Sequence, residues 1–433
     1  MATPMLIAQL LNLLYNIVDR IYIGKIPGEG TLALASIGLC FPFVTLITAF
    51  ANLFGLGGAP LCAMARGKGN REGAQGIMVN AGFMLLLSGA VLTVLGIAFH
   101  RPLLYLFGAS EVTYPYASSY IVIYLIGTLC VMLSLGLNPY INCQGFARTG
   151  MLTVALGAAA NIVLDPIFIF ALHLGVRGAA IATVLSQFLS AAWVVKFLTS
   201  KKAELKLDFR GFRPDCQCIQ RITVLGIASF VMSFTDTLVQ VACNATLRNF
   251  GGDLYISVMT VLNSVRQIAQ TPVLAIADGA STAISYNYGA GLYKRTRDAI
   301  RFMTQIAIGY TMLVWMLVSL FPALFIRIFN QDAELVAAAV PALHIYFFGF
   351  VMMAFQYAGQ STFRALGRAK YAVFFSLLRK AFIVVPLTLL LPYCWNLGVS
   401  GVFAAEPVSN CIGGLACYFT MRHVVMPELK MEN

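Results

Sequence analysis

Lys201–Arg221 reads KKAELKLDFRGFRPDCQCIQR. It is the longest polar stretch of a 433-residue chain that is 59% hydrophobic and only 11% charged. Soluble domains carry roughly 25% charged residues, so a chain this poor in charge is neither disordered nor an ordinary soluble enzyme. Mean hydropathy is +0.82. The stretch lies near the middle of the sequence, with long apolar runs on both sides. It reads as a linker between two membrane-embedded halves.

Working outward from it, apolar runs separated by Gly, Pro and charged clusters predict spans at 3–24, 33–57, 76–99, 116–141, 151–173 and 178–199 on one side. On the other they predict 222–247, 254–281, 302–326, 336–362, 371–394 and 400–424. Each approaches the roughly 20 apolar residues that cross a bilayer. The predicted fold is an all-α integral membrane protein of twelve transmembrane helices. Residues 1–200 form an N-terminal lobe, 201–221 a linker, and 222–433 a C-terminal lobe. No cleavable signal peptide precedes the first run, which ends in Asp19-Arg20 without a basic leader or a small-residue cleavage site.

The basic residues set the orientation. Net charge is +12, from 29 Lys+Arg and 17 Asp+Glu. Loops after even-numbered spans, with the linker and C-terminus, hold 20 of the 29, against five (Lys25, Arg101, Arg177, Arg248, Arg327) after odd-numbered spans. The positive-inside bias therefore places both termini and the linker in the cytoplasm. It also accounts for the positive charge without a nucleic-acid partner.

The halves repeat one another. Leu174-Gly175-Val176-Arg177-Gly178 returns as Leu397-Gly398-Val399-Ser400-Gly401, 223 residues later, and Gly67-Lys68-Gly69 returns as Gly289-Ala290-Gly291 at 222. Phe146-Ala147-Arg148 matches Leu366-Gly367-Arg368 at 220. An even number of spans per half gives both halves one orientation. They are expected to be related by a pseudo-two-fold along the membrane normal, as in transporters.

Ionisable groups at membrane depth cost free energy and need a reason. Rise counting puts Asp236 about 21 Å and Arg266 about 22 Å from the cytoplasmic ends of neighbouring spans, which predicts a structural ion pair. Arg379 and Lys380 are expected to snorkel, and Asp278 and Glu406 to be interfacial and solvated. Asp19 and Asp165 have no basic partner in their half. Asp165 closes Asn161-Ile162-Val163-Leu164-Asp165-Pro166, where Asn161 and Asp165 share a helix face at i and i+4. Pro166 frees a carbonyl one turn earlier. Tyr120, Asn138 and Thr183 are further polar groups expected in the same outer half. Hard oxygen ligands of this kind suit H⁺ or Na⁺. Two carboxylates that approach in low dielectric cannot both stay ionised, so one can load and release a proton near neutral pH.

No metal centre is expected. The ten Cys sit mostly in apolar runs, Cys216 and Cys218 lack companion ligands, and the four His form no cluster. No P-loop, His-Glu-x-x-His or Ser/His pairing at membrane depth points to an enzyme.

Leu14-Tyr15-Asn16-Ile17-Val18-Asp19-Arg20-Ile21-Tyr22-Ile23-Gly24 resembles the first-helix motif of multidrug and toxic compound extrusion (MATE) transporters. Asn161 to Pro166, the Gly67-Lys68-Gly69 loop and Ser285-Tyr286-Asn287-Tyr288-Gly289-Ala290-Gly291 match that family too, and the resemblance covers essentially the whole chain. The pattern is similar to the DinF-like branch, which keeps its essential acids in the N-terminal half. The resemblance implies that Asp19, Asn161, Asp165, Tyr120, Asn138 and Thr183 line an N-lobe cavity. It also implies a V-shaped two-lobe fold in the plasma membrane of a prokaryote, and a monomer. The implied activity is export of cationic, amphipathic drugs by H⁺ or Na⁺ antiport, with alternating access and no cofactor. If the coupling ion is Na⁺, it is expected at Asp19, Asp165 and Asn161. The alternative function is a lipid-linked oligosaccharide flippase of the same superfamily, which the acidic N-lobe disfavours. Family members carry a leader ahead of the first helix, whereas this chain starts almost within it.

Overall fold

The computed structural model describes all residues except 1, 25, 27–29, 108, 110, 330, 331, 395, 396, 432 and 433. Lys25, counted above in an outer loop, lies outside the described residues, as do the side chains of Arg20, Arg248 and Lys430.

The described backbone is helical almost throughout, as a bilayer demands of chains that must satisfy their own backbone hydrogen bonds. The first half runs α1 (Ala2–Gly24), α2 (Gly30–Gly67), α3 (Arg71–Leu106), α4 (Tyr114–Ile126), α5 (Thr128–Cys143), α6 (Ala147–Pro166) and α7 (Gly175–Thr199). Then come α8 (Cys216–Gly289), α9 (Tyr293–Leu320), α10 (Pro322–Arg327), α11 (Ala333–Phe347), α12 (Met352–Ala365), α13 (Ala369–Leu377), α14 (Val385–Leu390) and α15 (Val399–Met431). Among the described residues seven helices are long and apolar enough to cross a membrane, and nine when each bent pair, α4–α5 and α11–α12, counts as one span. The other three expected spans, 3–24, 254–281 and 400–424, are helical and carry more polar residues.

Helical backbone is continuous through 248–253, where a loop was expected. The chain nonetheless reverses inside α8. Asp236 and Arg266 are 30 residues apart, about 45 Å on a straight helix. Yet Asp236 pairs with Lys380, while Arg266 pairs with Glu406, which also binds the adjacent Arg379. Only a fold-back brings both arms to one place.

The repeat is deeper than the motifs indicated. Left-handed glycines recur in pairs: Gly69 (φ 75°) with Gly291 (71°), Gly145 (91°) with Gly367 (71°), and Gly175 (53°) with Gly398 (52°). Their offsets are 222, 222 and 223 residues. This corrects the 220-residue match: Gly145-Phe146-Ala147-Arg148 aligns with Gly367-Arg368-Ala369-Lys370, each opening a helix at its Ala. The broken spans bend by 55° and 51°, at Gly127 and around Gly349. A Cβ on Gly127 would strike Val184, and one on Gly349 would strike Pro407, again 223 residues on. Each bend thus leans on the same level of the last helix of its own half.

By internal contacts the chain divides into two compact units, residues 3–229 and 230–433. The boundary falls inside the seventh span rather than in the linker, because the linker packs on the first unit. Ala203, Leu205 and Leu207 are buried while Glu204, Lys206 and Asp208 face out, the period-2 alternation of an extended segment. The Leu205 amide donates to Gln144 Oε1 (2.9 Å), and the Asp215 amide to Asn80 Oδ1 (2.9 Å). Arg66 pairs with the Glu204 carboxylate, and Arg71 Nε donates to the Glu204 carbonyl (3.0 Å). Within this unit α2 closes on α5 through Gly55 and Gly136, and on α8 through Gly57 and Gly226. A Cβ on Gly55, Gly57 or Gly226 would meet backbone. Small residues at crossings replace the hydrophobic drive that lipid cannot supply.

Candidate functional site

Three helices of the first unit each present a polar pair at i and i+4, so each pair shares one face. They are Tyr15 and Asp19 on α1, Tyr120 and Tyr124 on α4, and Asn161 and Asp165 on α6. Asp165 is fully buried and Asn161 is 1% exposed. Asn161 Nδ2 donates to Asp165 Oδ1 at 3.2 Å. The Asp165 carboxyl also lies within hydrogen-bonding reach of Asp19. Carboxylates bond to one another only when a proton lies between them, so this approach is built to hold one.

Aromatic hydroxyls ring the pair. Tyr120 and Tyr15 both stand within charge range of Asp19, and Tyr15 also within range of Asp165. Tyr120 and Tyr124 stack with centroids 6.2 Å apart and planes 13° from parallel. Both rings are buried, and aromatic faces of this kind attract organic cations. Asp165 Oδ2 and Asn161 Oδ1 are buried and meet no donor hydrogen.

Local sequence explains why α6 carries this site. Pro166 has no N–H to give and ends the regular helix one residue past Asp165. The chain continues through a wide π-turn, Ile167–Ala171, closed by the Leu172 amide on the Ile167 carbonyl (2.9 Å). Such turns loosen the hydrogen-bond ladder and recur at functional sites.

The remaining expected site residues divide. α6 and α7 run antiparallel, fixed by Ser190 Oγ donating to the Thr153 carbonyl (3.0 Å) and by Gly178 against Phe168. That register sets Thr183 level with Asn161 and Asp165. Its hydroxyl donates to the Ala179 carbonyl (2.9 Å) and keeps its lone pairs. Asn138 is elsewhere. Its amide donates to the Gly150 carbonyl (3.2 Å), 15 residues before Asp165 on the same helix, or about 22 Å along it. Asn138 therefore ties α5 to α6 near the start of α6 and stands apart from the acid pair. The expectation of a common depth fails because Asn138 stands three residues from the end of the expected span 116–141, the end that adjoins the start of α6. Sequence reasoning missed Tyr15 and Tyr124, although the i, i+4 spacing that singled out Asn161 marks them equally.

The second unit holds a different set of charges, and here the expected pairing is corrected. Arg266 does not pair with Asp236. Arg266 Nη2 lies 2.6 Å from Glu406 Oε1, and its Nη1 donates to the Tyr346 hydroxyl (2.7 Å). Arg379 Nη1 donates to the same Glu406 oxygen at 3.0 Å and also bonds Asn410. Asp236 instead pairs with Lys380. Neither Arg379 (3% exposed) nor Lys380 (5%) reaches toward an interface, and Glu406 (5%) is not solvated. Equal depth could not choose among these partners; their facing directions did. Asp278 stays part-exposed, 3.8 Å from Arg364, as an interfacial group does. Among the described residues no group of three or more His, Cys, Asp or Glu forms a metal centre.

Comparisons agree with this architecture. The MatE family model matches residues 4–167 and 228–390, one block in each half. The chain is 24% identical to the multidrug export protein MepA of Staphylococcus haemolyticus, over 96% of this chain and 90% of that one. It is 25% identical to an FAD transporter of Shewanella oneidensis, over 99% and 94%. Among solved structures, a MATE in the bent conformation superposes with TM-score 0.93 at 24% identity, covering 100% of this chain and 95% of that one. An outward-facing multidrug resistance MATE transporter of the MOP superfamily matches with the same score, identity and coverage. With both halves matched by the family model and the whole fold superposing, the chain belongs to the MatE family, as a multi-pass membrane transporter and not an enzyme.

Proposed function

We propose that this transporter exports small, cationic, amphipathic compounds in exchange for H⁺, with Asp19 and Asp165 as the site at which proton and cargo compete. The observation that carries the reading is the fully buried Asp165 carboxyl within hydrogen-bonding reach of Asp19. Likeness to a staphylococcal multidrug export protein supports drugs as cargo. The proton-free pair carries the negative charge that draws a cation, and Tyr15, Tyr120 and Tyr124 cover its apolar body. A proton arriving from outside is shared by the two carboxylates, halves their charge and weakens their hold. Loss of that proton toward the cytoplasm restores the site. Competition couples the two fluxes because a ligand shifts a conformational equilibrium only by its differential affinity for the two states. The basic-loop count supports cytoplasmic termini, and the acidic first unit argues against an anionic flippase cargo there.

The test is export of ethidium by reconstituted protein under separately imposed gradients. An inward-directed pH gradient is expected to drive export without Na⁺. Export driven by Na⁺ alone would assign the same oxygens to Na⁺, and export indifferent to both gradients would remove the coupling.

A further inference from the structure

Cys62 on α2 and Cys143 at the end of α5 face each other, with their Sγ atoms 3.4 Å apart. Both are free thiols and both are buried. The Cys143 thiol donates to Cys62 Sγ, and the Cys62 thiol to the Ala74 carbonyl (3.5 Å). A disulfide holds its sulfurs about 2.05 Å apart, so a short closing movement along an existing contact would join them. A buried Cys is ordinarily an inert small hydrophobe, but these two touch beneath a charged clasp. Arg66, one turn beyond Cys62, donates to the Cys143 carbonyl and pairs with Glu204 of the linker. Its guanidinium stands within charge range of Cys62. The Leu205 amide bonds Gln144, the neighbour of Cys143. The extended part of the linker is thus fastened to residues beside both cysteines, at the end of the unit that the basic loops assign to the cytoplasm.

We propose that Cys62 and Cys143 are a reversible redox pair, closed to a disulfide by hydrogen peroxide when the Glu204 clasp lifts. The Cys62 thiolate, with Arg66 as its counter-charge, attacks a peroxide oxygen. An S–O bond forms, the O–O bond breaks, and the departing hydroxide takes up the proton that Cys62 gave and leaves as water. The Cys143 sulfur then attacks the Cys62 sulfenic acid. The S–S bond forms, the S–O bond breaks, and a second water leaves with the Cys143 proton. Two thiols are oxidised to one disulfide while one peroxide is reduced to two waters. A dithiol of the reducing cytoplasm reverses the change by exchange. The bond joins positions 81 residues apart, and a cross-link of that span stabilises by constraining the unfolded chain. It ties α2 to α5 without help from the linker. The inference holds whether or not the Asp19–Asp165 pair carries protons.

The test exposes the full chain, in phosphatidylcholine nanodiscs, to hydrogen peroxide, then alkylates the remaining thiols and maps the peptides by mass. A cross-linked peptide pair carrying Cys62 and Cys143 is expected, lighter by two hydrogens and released by dithiothreitol. The thermal midpoint should rise on oxidation and return on reduction. Cys62→Ser and Cys143→Ser should each lose both the cross-link and the rise. Glu204→Ala should speed cross-linking by about twofold to fivefold, the weight of one exposed ion pair. Cys216 is exposed, and its oxidation reports that the peroxide acted. Oxidation of Cys216 in the folded wild type without a Cys62–Cys143 bond would overturn the proposal. So would a bond that forms only after unfolding, or a midpoint rise that survives in Cys62→Ser. A cross-linking rate unchanged in Glu204→Ala would overturn the role of the clasp.

Discussion

Asp165→Asn is expected to abolish gradient-driven drug export while the protein still folds and inserts. The substitution keeps the shape of the side chain and an oxygen to accept the Asn161 Nδ2 hydrogen bond. It removes the charge. A charged hydrogen bond contributes about 1.5–3 kcal/mol, which is roughly a 10- to 100-fold loss of affinity for a cation. Coupling falls further than affinity, because an amide cannot exchange a proton at all. Stability should hold or rise, since burying a carboxylate is costly and burying an amide less so. Asp19→Asn should do the same to export. Folded yield and ethidium efflux, measured on the same preparations, check this. Wild-type efflux from a well-folded Asp165→Asn variant would remove Asp165 from the mechanism.

The second large effect lies in the other unit and concerns folding. Glu406→Gln is expected to destabilise by about 3–5 kcal/mol, the range for removing one partner of a buried ion network. Glu406 Oε1 is the common acceptor of Arg266 and Arg379, so its loss leaves two buried guanidiniums without a counter-charge. Adding Arg379→Gln takes away one of them and should recover about half the loss. Asp236→Asn should cost less, because Asp236 is half exposed and water can screen what remains. Thermal unfolding in detergent reads all three. A Glu406→Gln variant as stable as the wild type would show that the two arginines do not depend on it.

Much of this molecule was legible before any coordinates. Twelve spans, two halves and a repeat followed from hydropathy and a few glycines, because lipid forces helices and a left-handed turn requires Gly. Asn161 and Asp165 were legible because both lie on one short, nearly regular helix, where i and i+4 must meet. Asn138 was misplaced although the expected span 116–141 already set it three residues from the end opposite Tyr120. The Asp236–Arg266 pairing failed for another reason. Rise counting gives height and not azimuth, and Arg379, Lys380 and Glu406 meet the same two residues. The segment was read only as a linker because it is the longest polar stretch of the chain. Its alternating Ala203, Leu205 and Leu207 were the signal that it packs.

The central claim, that proton and drug compete for the Asp19–Asp165 pair, is tested most directly by drug affinity against pH in Na⁺-free buffer. Purified protein in nanodiscs is titrated with ethidium from about pH 5 to pH 8, a range that includes the loading of a shared carboxylate proton. If one proton leaves for each drug bound, affinity must rise with pH by up to about tenfold per unit and then level off. Asp165→Asn must flatten the curve at low affinity. A wild-type profile that is flat from pH 5 to pH 8, or a slope that survives in Asp165→Asn, contradicts the account.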